Sequence, residues 1–396
     1  MKRFLAFTVV LWLVFAAKSK LPMDSVQISL LTCSPGTEVY SFYGHTALRC
    51  RNITQNVDLV YNYGVFSFHQ PHFIWRFILG KCDYMLQPVP WDYFIKEYSQ
   101  RGSTVTEQEL NLSREEANRL FMFLYVNALP ENCQYRYNFL YNNCTTKVRD
   151  VIEQALDGKV EYPQVAEKKT YRQILHEYVS VDLWSKEGND ALLGADVDTL
   201  LTDRAAMFAP EYLMNYAQDA IIRAPNNDYR LLVKKTVIHQ PSNPLPAVKT
   251  LPVTPLLFSI GLLVFALFVV VVEYKFYFMW WGWDMMLMLL QGLAGCLLVF
   301  MFLFSEHPGV GSNWLVLFLN PLPLFALPCV IRSALKHRRC VWHLINFIIL
   351  TLFIVFSVWI PQDFGDMVVP LALILVTRPI SYYLYYRKSD KCSKRK

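Results

Sequence analysis

Cys144 and His45 are the residues whose types and surroundings point to chemistry. Cys144 follows Asn142-Asn143 and opens the run Cys144-Thr145-Thr146-Lys147-Val148-Arg149-Asp150, in which Val148, Val151, Ile152 and Ala155 fall at helical spacing before Gly158. Either asparagine can cap that helix. The first turn of a helix has unpaired N–H groups and a partial positive charge, so a thiol placed there loses its proton more easily, and the thiolate is the nucleophile. Such a thiol needs a base. His45 stands in Ser41-Phe42-Tyr43-Gly44-His45-Thr46-Ala47-Leu48-Arg49, at the start of an alternating strand and after a glycine that permits close backbone approach. A cysteine at a helix start facing a histidine on a strand is an activated-thiol arrangement. His69, His72 and His176 have poorer surroundings. Candidates to orient the base are Asn62, in Tyr61-Asn62-Tyr63-Gly64, and the Asn142/Asn143 pair, while Tyr43 and the Cys144 N–H are candidates to hold an oxyanion. The plainer alternatives are a cysteine that only packs and a histidine that only shapes a turn.

These residues need an exported domain to hold them. Lys2 and Arg3 precede an apolar run from Phe4 to Phe15 and then Ala16-Ala17, a signal-peptide pattern that predicts cleavage near Ala17. Residues 18–239 then form one domain in an oxidising compartment, with five cysteines, Cys33, Cys50, Cys82, Cys133 and Cys144. An odd number leaves at least one thiol unpaired if the others pair. The chain has no C-x-x-C pair, so neither a zinc ribbon nor thioredoxin chemistry is supported, and neither a metal nor a cofactor is expected.

Alternation predicts strands at 25–32, 46–51, 58–63, 84–89 and 104–112, and periodicity predicts helices at 73–79 and 91–99. Ser113-Arg114-Glu115-Glu116 is a capping box for a helix ending near Leu129, before Pro130. Helices are expected at 171–179 and 211–222, and a strand at 230–238. The pattern is α+β.

A proline-rich linker at 240–255 leads into an apolar half. Five spans are expected at about 251–272, 285–305, 314–331, 341–360 and 367–386, the last interrupted by Arg378, which is expected to snorkel to the interface rather than meet a phosphate. Loops 306–313 and 361–366 carry no Lys or Arg, whereas 332–340 carries Arg332, Lys336, Arg338 and Arg339. The tail, 387–396, carries six more basic residues and accounts for much of the net charge of +6, so that charge is not a nucleic-acid signal. The positive-inside rule puts the two uncharged loops outside and the C-terminus in the cytoplasm, and an external first domain then requires an odd number of spans.

Histidine precedes cysteine, the reverse of papain-type proteases. The order resembles the permuted papain-like group that includes lecithin:retinol acyltransferase. Tyr43-Gly44-His45-Thr46-Ala47-Leu48-Arg49, Tyr61-Asn62-Tyr63-Gly64-Val65-Phe66 and Asn138-Phe139-Leu140-Tyr141-Asn142-Asn143-Cys144-Thr145-Thr146 look like the periplasmic domain of the lipoprotein N-acyltransferase family called Lnb. His307-Pro308, Asn313-Trp314 and Asn320-Pro321 look like that family's membrane half. One departure is Ser67-Phe68-His69-Gln70, where an acidic residue is expected. The resemblance implies transfer of a fatty acyl group from a membrane phospholipid, through a thioester on Cys144, to the α-amine of a diacylglyceryl-cysteine on a lipoprotein, in the bacterial inner membrane. Glu306, His307, Asn313 and Asn320 are then candidates for a second site near a headgroup or the incoming amine, against the alternative of a polar turn between spans. The competing readings are a membrane-tethered cysteine hydrolase acting on phospholipid or cell-wall peptide, and a receptor or scaffold with an inert thiol.

Overall fold

A computed structural model describes residues 26–67, 71–245 and 251–393. The expected signal peptide and His69 lie outside the described residues. The strands are β1 (Val26–Cys33), β2 (His45–Asn52), β3 (Val57–Val65), β4 (Asp83–Pro90), β5 (Val105–Leu110), β6 (Gln134–Arg136), β7 (Lys159–Glu161), β8 (Ile221–Arg223), β9 (Tyr229–Leu231) and β10 (Val233–His239). The principal helices of this half are α1 (Phe73–Ile78), α2 (Trp91–Arg101), α3 (Arg114–Asn127), α4 (Cys144–Ala155), α5 (Tyr171–Val179), α6 (Leu183–Leu192) and α7 (Pro210–Gln218).

Seven strands form one antiparallel sheet in the order β10-β5-β1-β2-β3-β4-β6, and β7-β8-β9 form a small second sheet. Alternate residues of the central strands feed two separate apolar layers. Ile28, Leu30, Leu48 and Cys50 join Leu120 and Leu124 of α3 and Val148, Val151 and Ile152 of α4. Leu31, Cys33, Ala47 and Val60 face the other way, against Phe94 of α2. The sheet is thus covered on both faces, which is why β1 is buried from Ile28 through Cys33 rather than on alternate residues. The capping box forms as expected: the Ser113 hydroxyl accepts from Glu116 N at 3.2 Å, and Glu116 Oε2 accepts from Ser113 N at 2.7 Å.

The helix expected to reach residue 222 ends at Gln218. Ile221–Arg223 instead pairs as a strand between β7 and β9, so a short apolar run that carries no helix/strand distinction by itself is decided by its two neighbours.

The second half contains α8 (Pro255–Phe276), α9 (Trp281–Phe304), α10 (Leu322–Leu335), α11 (Val341–Phe356) and α12 (Val368–Ser393). Four segments are long and apolar enough to cross a membrane: Pro255–Phe276, Trp281–Phe304, Trp314–Leu335 and Val368–Ser389. α11 is apolar but has 16 residues. Arg378 does not snorkel. Its side chain is 5 % exposed, and its guanidinium donates to Asp284 at 2.6 and 3.0 Å and to both Glu273 oxygens at 3.0 Å. Glu273 near the end of α8 and Asp284 in the first turn of α9 converge on it, which removes the need to reach water.

The two loops without basic residues dock on the first domain. Glu306 N donates to Leu79 O at 2.9 Å, Gly194 N to Gly309 O at 2.8 Å, and Asp366 N to Glu187 at 2.9 Å. At the opposite end the basic segment and the start of the tail meet, where the Tyr386 hydroxyl donates to Arg338 O at 2.6 Å.

Candidate functional site

The site begins with the cap of α4. Asn143 is the N-cap: its Oδ1 accepts from Thr145 N and Thr146 N, both at 2.9 Å, while its Nδ2 donates to Phe139 O at 2.8 Å and Phe208 O at 2.9 Å. Thr146 Oγ1 accepts from Asn143 N at 2.9 Å and completes the box. Cys144 is therefore the first helical residue, where a backbone N–H has no intrahelical acceptor. Asn142 has a different task, donating through Nδ2 to Arg136 O at 2.7 Å within the turn that precedes the cap. Asn143→Ala removes four hydrogen bonds from this turn. It should lower stability by about 1–2 kcal/mol, the upper range for a lost cap, and denaturant unfolding will measure it.

His45 is the first residue of β2, opposite Cys33 of β1. Gly44 before it has φ +73°, and a Cβ there would lie 2.6 Å from Cys33 O, so only glycine delivers the chain into β2 this way. The His45 ring faces the Cys144 thiol, and each group bears on the ionisation of the other. His45 Nε2 lies 3.2 Å from Asn62 Oδ1 on β3. An amide oxygen only accepts, so Nε2 carries the proton and Nδ1 is left as the basic nitrogen for the thiol. The ring stacks on Tyr98 of α2 at 6.2 Å between centroids and 10° between planes.

Burial by itself would push the Cys144 thiol up. The opposing charge and hydrogen bond of His45, the Thr46 N–H and the Thr145 hydroxyl outweigh it and hold the thiol below its ordinary 9.0. Burial likewise pulls His45 down, but the Cys144 charge, its hydrogen bond and the Asn62 bond raise the imidazole above 6.5. The two shifts run toward a thiolate–imidazolium pair.

Several contributors were not legible as site residues. Thr46 lends its backbone N–H, and its hydroxyl lies 3.0 Å from that of Thr145, joining β2 to α4. Tyr98 carried no sequence signal beyond its place in an amphipathic helix. Gly64 has φ +89°, and the Cβ it lacks would lie 3.6 Å from both Cys144 Cβ and the Tyr137 ring, so it keeps space beside the thiol.

Tyr43 turns elsewhere: its hydroxyl accepts from Asn189 Nδ2 at 2.8 Å, and its ring meets Tyr178 edge-on at 5.8 Å. The membrane-side candidates lie on the seam between the two halves. Glu306 pairs with Arg136 at 3.1 Å and Lys81 at 3.3 Å. His307 Nε2 donates to Phe77 O at 2.6 Å, its ring lies 6.0 Å from that of Phe139, and burial holds its pKa below 6.5. Asn313 caps a short 3-10 turn, and Asn320 makes a local turn at the start of α10. Asn313 Oδ1 accepts from Leu315 N at 3.0 Å and Nδ2 donates to Ala191 O at 2.9 Å; Asn320 Oδ1 accepts from Leu322 N at 3.1 Å. Of the sequence candidates, Cys144, His45 and Asn62 come together.

The five cysteines of the first half are all free thiols, Cys33 and Cys50 within the sheet layers. Among the described residues no three His, Cys, Asp or Glu side chains converge as a metal site.

Residues 15–180 match a family model described as the Lnb N-terminal periplasmic domain, and residues 247–389 match one described as the Lnb transmembrane domain. No curated protein and no solved structure matches the chain.

Proposed function

The chain belongs to the Lnb family, and from that premise we propose that it is a lipoprotein N-acyltransferase with Cys144 as nucleophile and His45 as base. The observation that carries the reading is the Cys144–His45–Asn62 series, a thiol at a helix start whose ionisation is favoured by a facing imidazole, itself held by an amide oxygen at 3.2 Å. The architecture we infer is a permuted papain-like periplasmic domain on five spans, with the C-terminus in the cytoplasm. The short α11 counts as a span because the two halves meet on one side and the basic segments gather at the other.

In the first half-reaction the Cys144 thiolate attacks the carbonyl carbon of a phospholipid acyl ester. The Cys144 N–H faces the developing oxyanion. As the C–O bond breaks, the His45 imidazolium gives its proton to the lysophospholipid oxygen, leaving a thioester. In the second, the α-amine of a diacylglyceryl-cysteine attacks the thioester. The amine, whose pKa is about 8, reacts in its unprotonated form, and neutral His45 takes the one proton it sheds as the C–N bond forms. The amide forms and the thiolate leaves. Both substrates are anchored in the bilayer, so holding the thiol at its surface lowers the entropic barrier.

Mass spectrometry of lipoprotein N-terminal peptides tests the reading. Cells with the gene should yield triacylated peptides and cells without it diacylated ones; the same state in both overturns it. Lyso-phospholipid formed without an acylated acceptor would instead identify a phospholipase.

Asn62→Ala should lower kcat by about 10- to 100-fold, part of the roughly 10²–10⁴ that acid–base catalysis supplies. The sign of its pH effect follows from the bonds it loses. Activity rises as Cys144 ionises below 9.0 and falls as His45 loses its proton above 6.5. Without the Asn62 bond, the His45 limb moves to lower pH. An unmoved alkaline limb in a kcat/KM profile would rule out this orienting role.

A further inference from the structure

Helix α1 has the sequence Phe-Ile-Trp-Arg-Phe-Ile and buries none of its residues. Ile74 is 76 % exposed, Trp75 54 % and Phe77 49 %. Three large apolar side chains on one short helix, open to water, would be an unfavourable surface. The helix does not stand in water, however. Ser305 Oγ donates to Ile78 O at 2.8 Å, Glu306 N to Leu79 O at 2.9 Å, and His307 Nε2 to Phe77 O at 2.6 Å. These partners are the first polar residues after Phe304, where the span α9 ends. α1 is therefore at the level where hydrocarbon gives way to headgroups. Trp75 reaches one turn deeper, its ring 5.2 Å from Phe300, beside the exposed Leu303 and Phe304 of the span's lipid-facing surface. An apolar helix continuous with that surface has lipid as its neighbour.

Behind α1 a series of rings leads to the thiol. Phe77 stacks on Phe73 at 6.2 Å, Phe73 on Phe66 at 5.8 Å, Phe66 on Tyr84 at 4.8 Å and Tyr84 on Tyr137 at 4.1 Å. Tyr137 lies beside the space that Gly64 keeps next to Cys144. Aromatic rings offer a rigid apolar wall that loses little side-chain entropy when a flexible chain lies against it.

We propose that the exposed face of α1 and the ring series behind it form the track along which a phospholipid acyl chain leaves the bilayer and reaches Cys144. The proposal rests on the acyl-transfer reading of Cys144 and adds to it the route of the donor. It also explains why α1 exposes apolar side chains while Arg76 turns back to pair with Asp83 at 2.6 Å.

The full-length protein in nanodiscs containing a phospholipid with a diazirine in its acyl chain tests the route. After illumination and digestion, adducts are expected both on the peptide carrying Ile74–Phe77 and on those carrying Tyr84 or Tyr137. Adducts confined to residues 255–393 overturn the proposal. Adducts on α1 without any on Tyr84 or Tyr137 also overturn it, since α1 would then only rest on the membrane. Ile74→Asp places a charge at an exposed position that supports no core. It should slow thioester formation from vesicle phospholipid about tenfold while alkylation of Cys144 by iodoacetamide stays at the wild-type rate. Equal thioester rates in Ile74→Asp and wild type overturn the track. Absence of any thioester in wild type instead sinks the acyl-transfer reading, and the adduct map separates the two failures.

Discussion

Cys144→Ser is expected to reduce lipoprotein N-acylation by at least about 10³-fold while the protein remains folded. Serine preserves the shape of the first helical turn, and the cap does not use the sulfur: Asn143 bonds the N–H groups of Thr145 and Thr146. What disappears is the ionisable group. The thiol here is held below 9.0 by the His45 charge and by hydrogen bonds from His45, Thr46 N and Thr145. A hydroxyl in the same surroundings stays neutral and leaves His45 without the opposing charge that raises it. The loss should fall on thioester formation, so wild type incubated with phospholipid should carry an acyl mass on the Cys144 peptide and the variant none. Cys144→Ser that still triacylates lipoproteins would remove this residue from the mechanism. His45→Ala should be nearly as severe, with the distinguishing sign that Cys144 alkylation shifts to higher pH as the imidazole's stabilisation is lost.

Arg378→Met is expected to be the most destabilising single change in the membrane half, by about 3–5 kcal/mol. Glu273 and Asp284 are 1 % and 2 % exposed, and each bonds the guanidinium. Ser381 adds a short hydrogen bond to Glu273. Removing the cation leaves two carboxylates facing each other in apolar surroundings, and the penalty comes from those stranded groups rather than from the pair's own strength. The check is internal: Arg378→Met combined with Glu273→Gln and Asp284→Asn should recover much of the loss, because neutral amides carry no uncompensated charge. Thermal unfolding in one detergent compares the three proteins. A single variant as stable as wild type would show that the cluster contributes nothing to holding α8, α9 and α12 together.

Features carried by neighbouring residues could be read directly. The α4 cap closes within three positions, from Asn143 to Thr146, and the Ser113–Glu116 box within the same distance, so side-chain type and spacing suffice. The polar and apolar alternation of residues 26–30 and the apolar lengths of four of the five expected spans are likewise local. So is the charge asymmetry of the loops, which agrees with loops 306–313 and 361–366 meeting the first domain and the basic segments meeting at the other end. By contrast, three asparagines were equal candidates to orient His45. Only the register of β3 beside β2 brings Asn62 to its Nε2 and commits Asn142 and Asn143 to the turn and the cap.

The sequence by itself thus determined the central strands, the capped helices and the thiol's position at a helix start, because hydrogen bonds and periodicities within a few residues encode them; the short strands at 134–136, 159–161, 221–223 and 229–231 it did not. Tertiary structure decided which groups face that thiol. It set Thr46 of β2 against Thr145 of α4, turned Tyr43 to Asn189, and seated Arg378 between two acids on other helices. It also lined up Phe77, Phe73, Phe66, Tyr84 and Tyr137 between the span's end and Cys144. Each of these depends on strand register or helix packing between segments far apart in the chain, where spacing carries no signal and only the closed fold selects one partner among several of the same type.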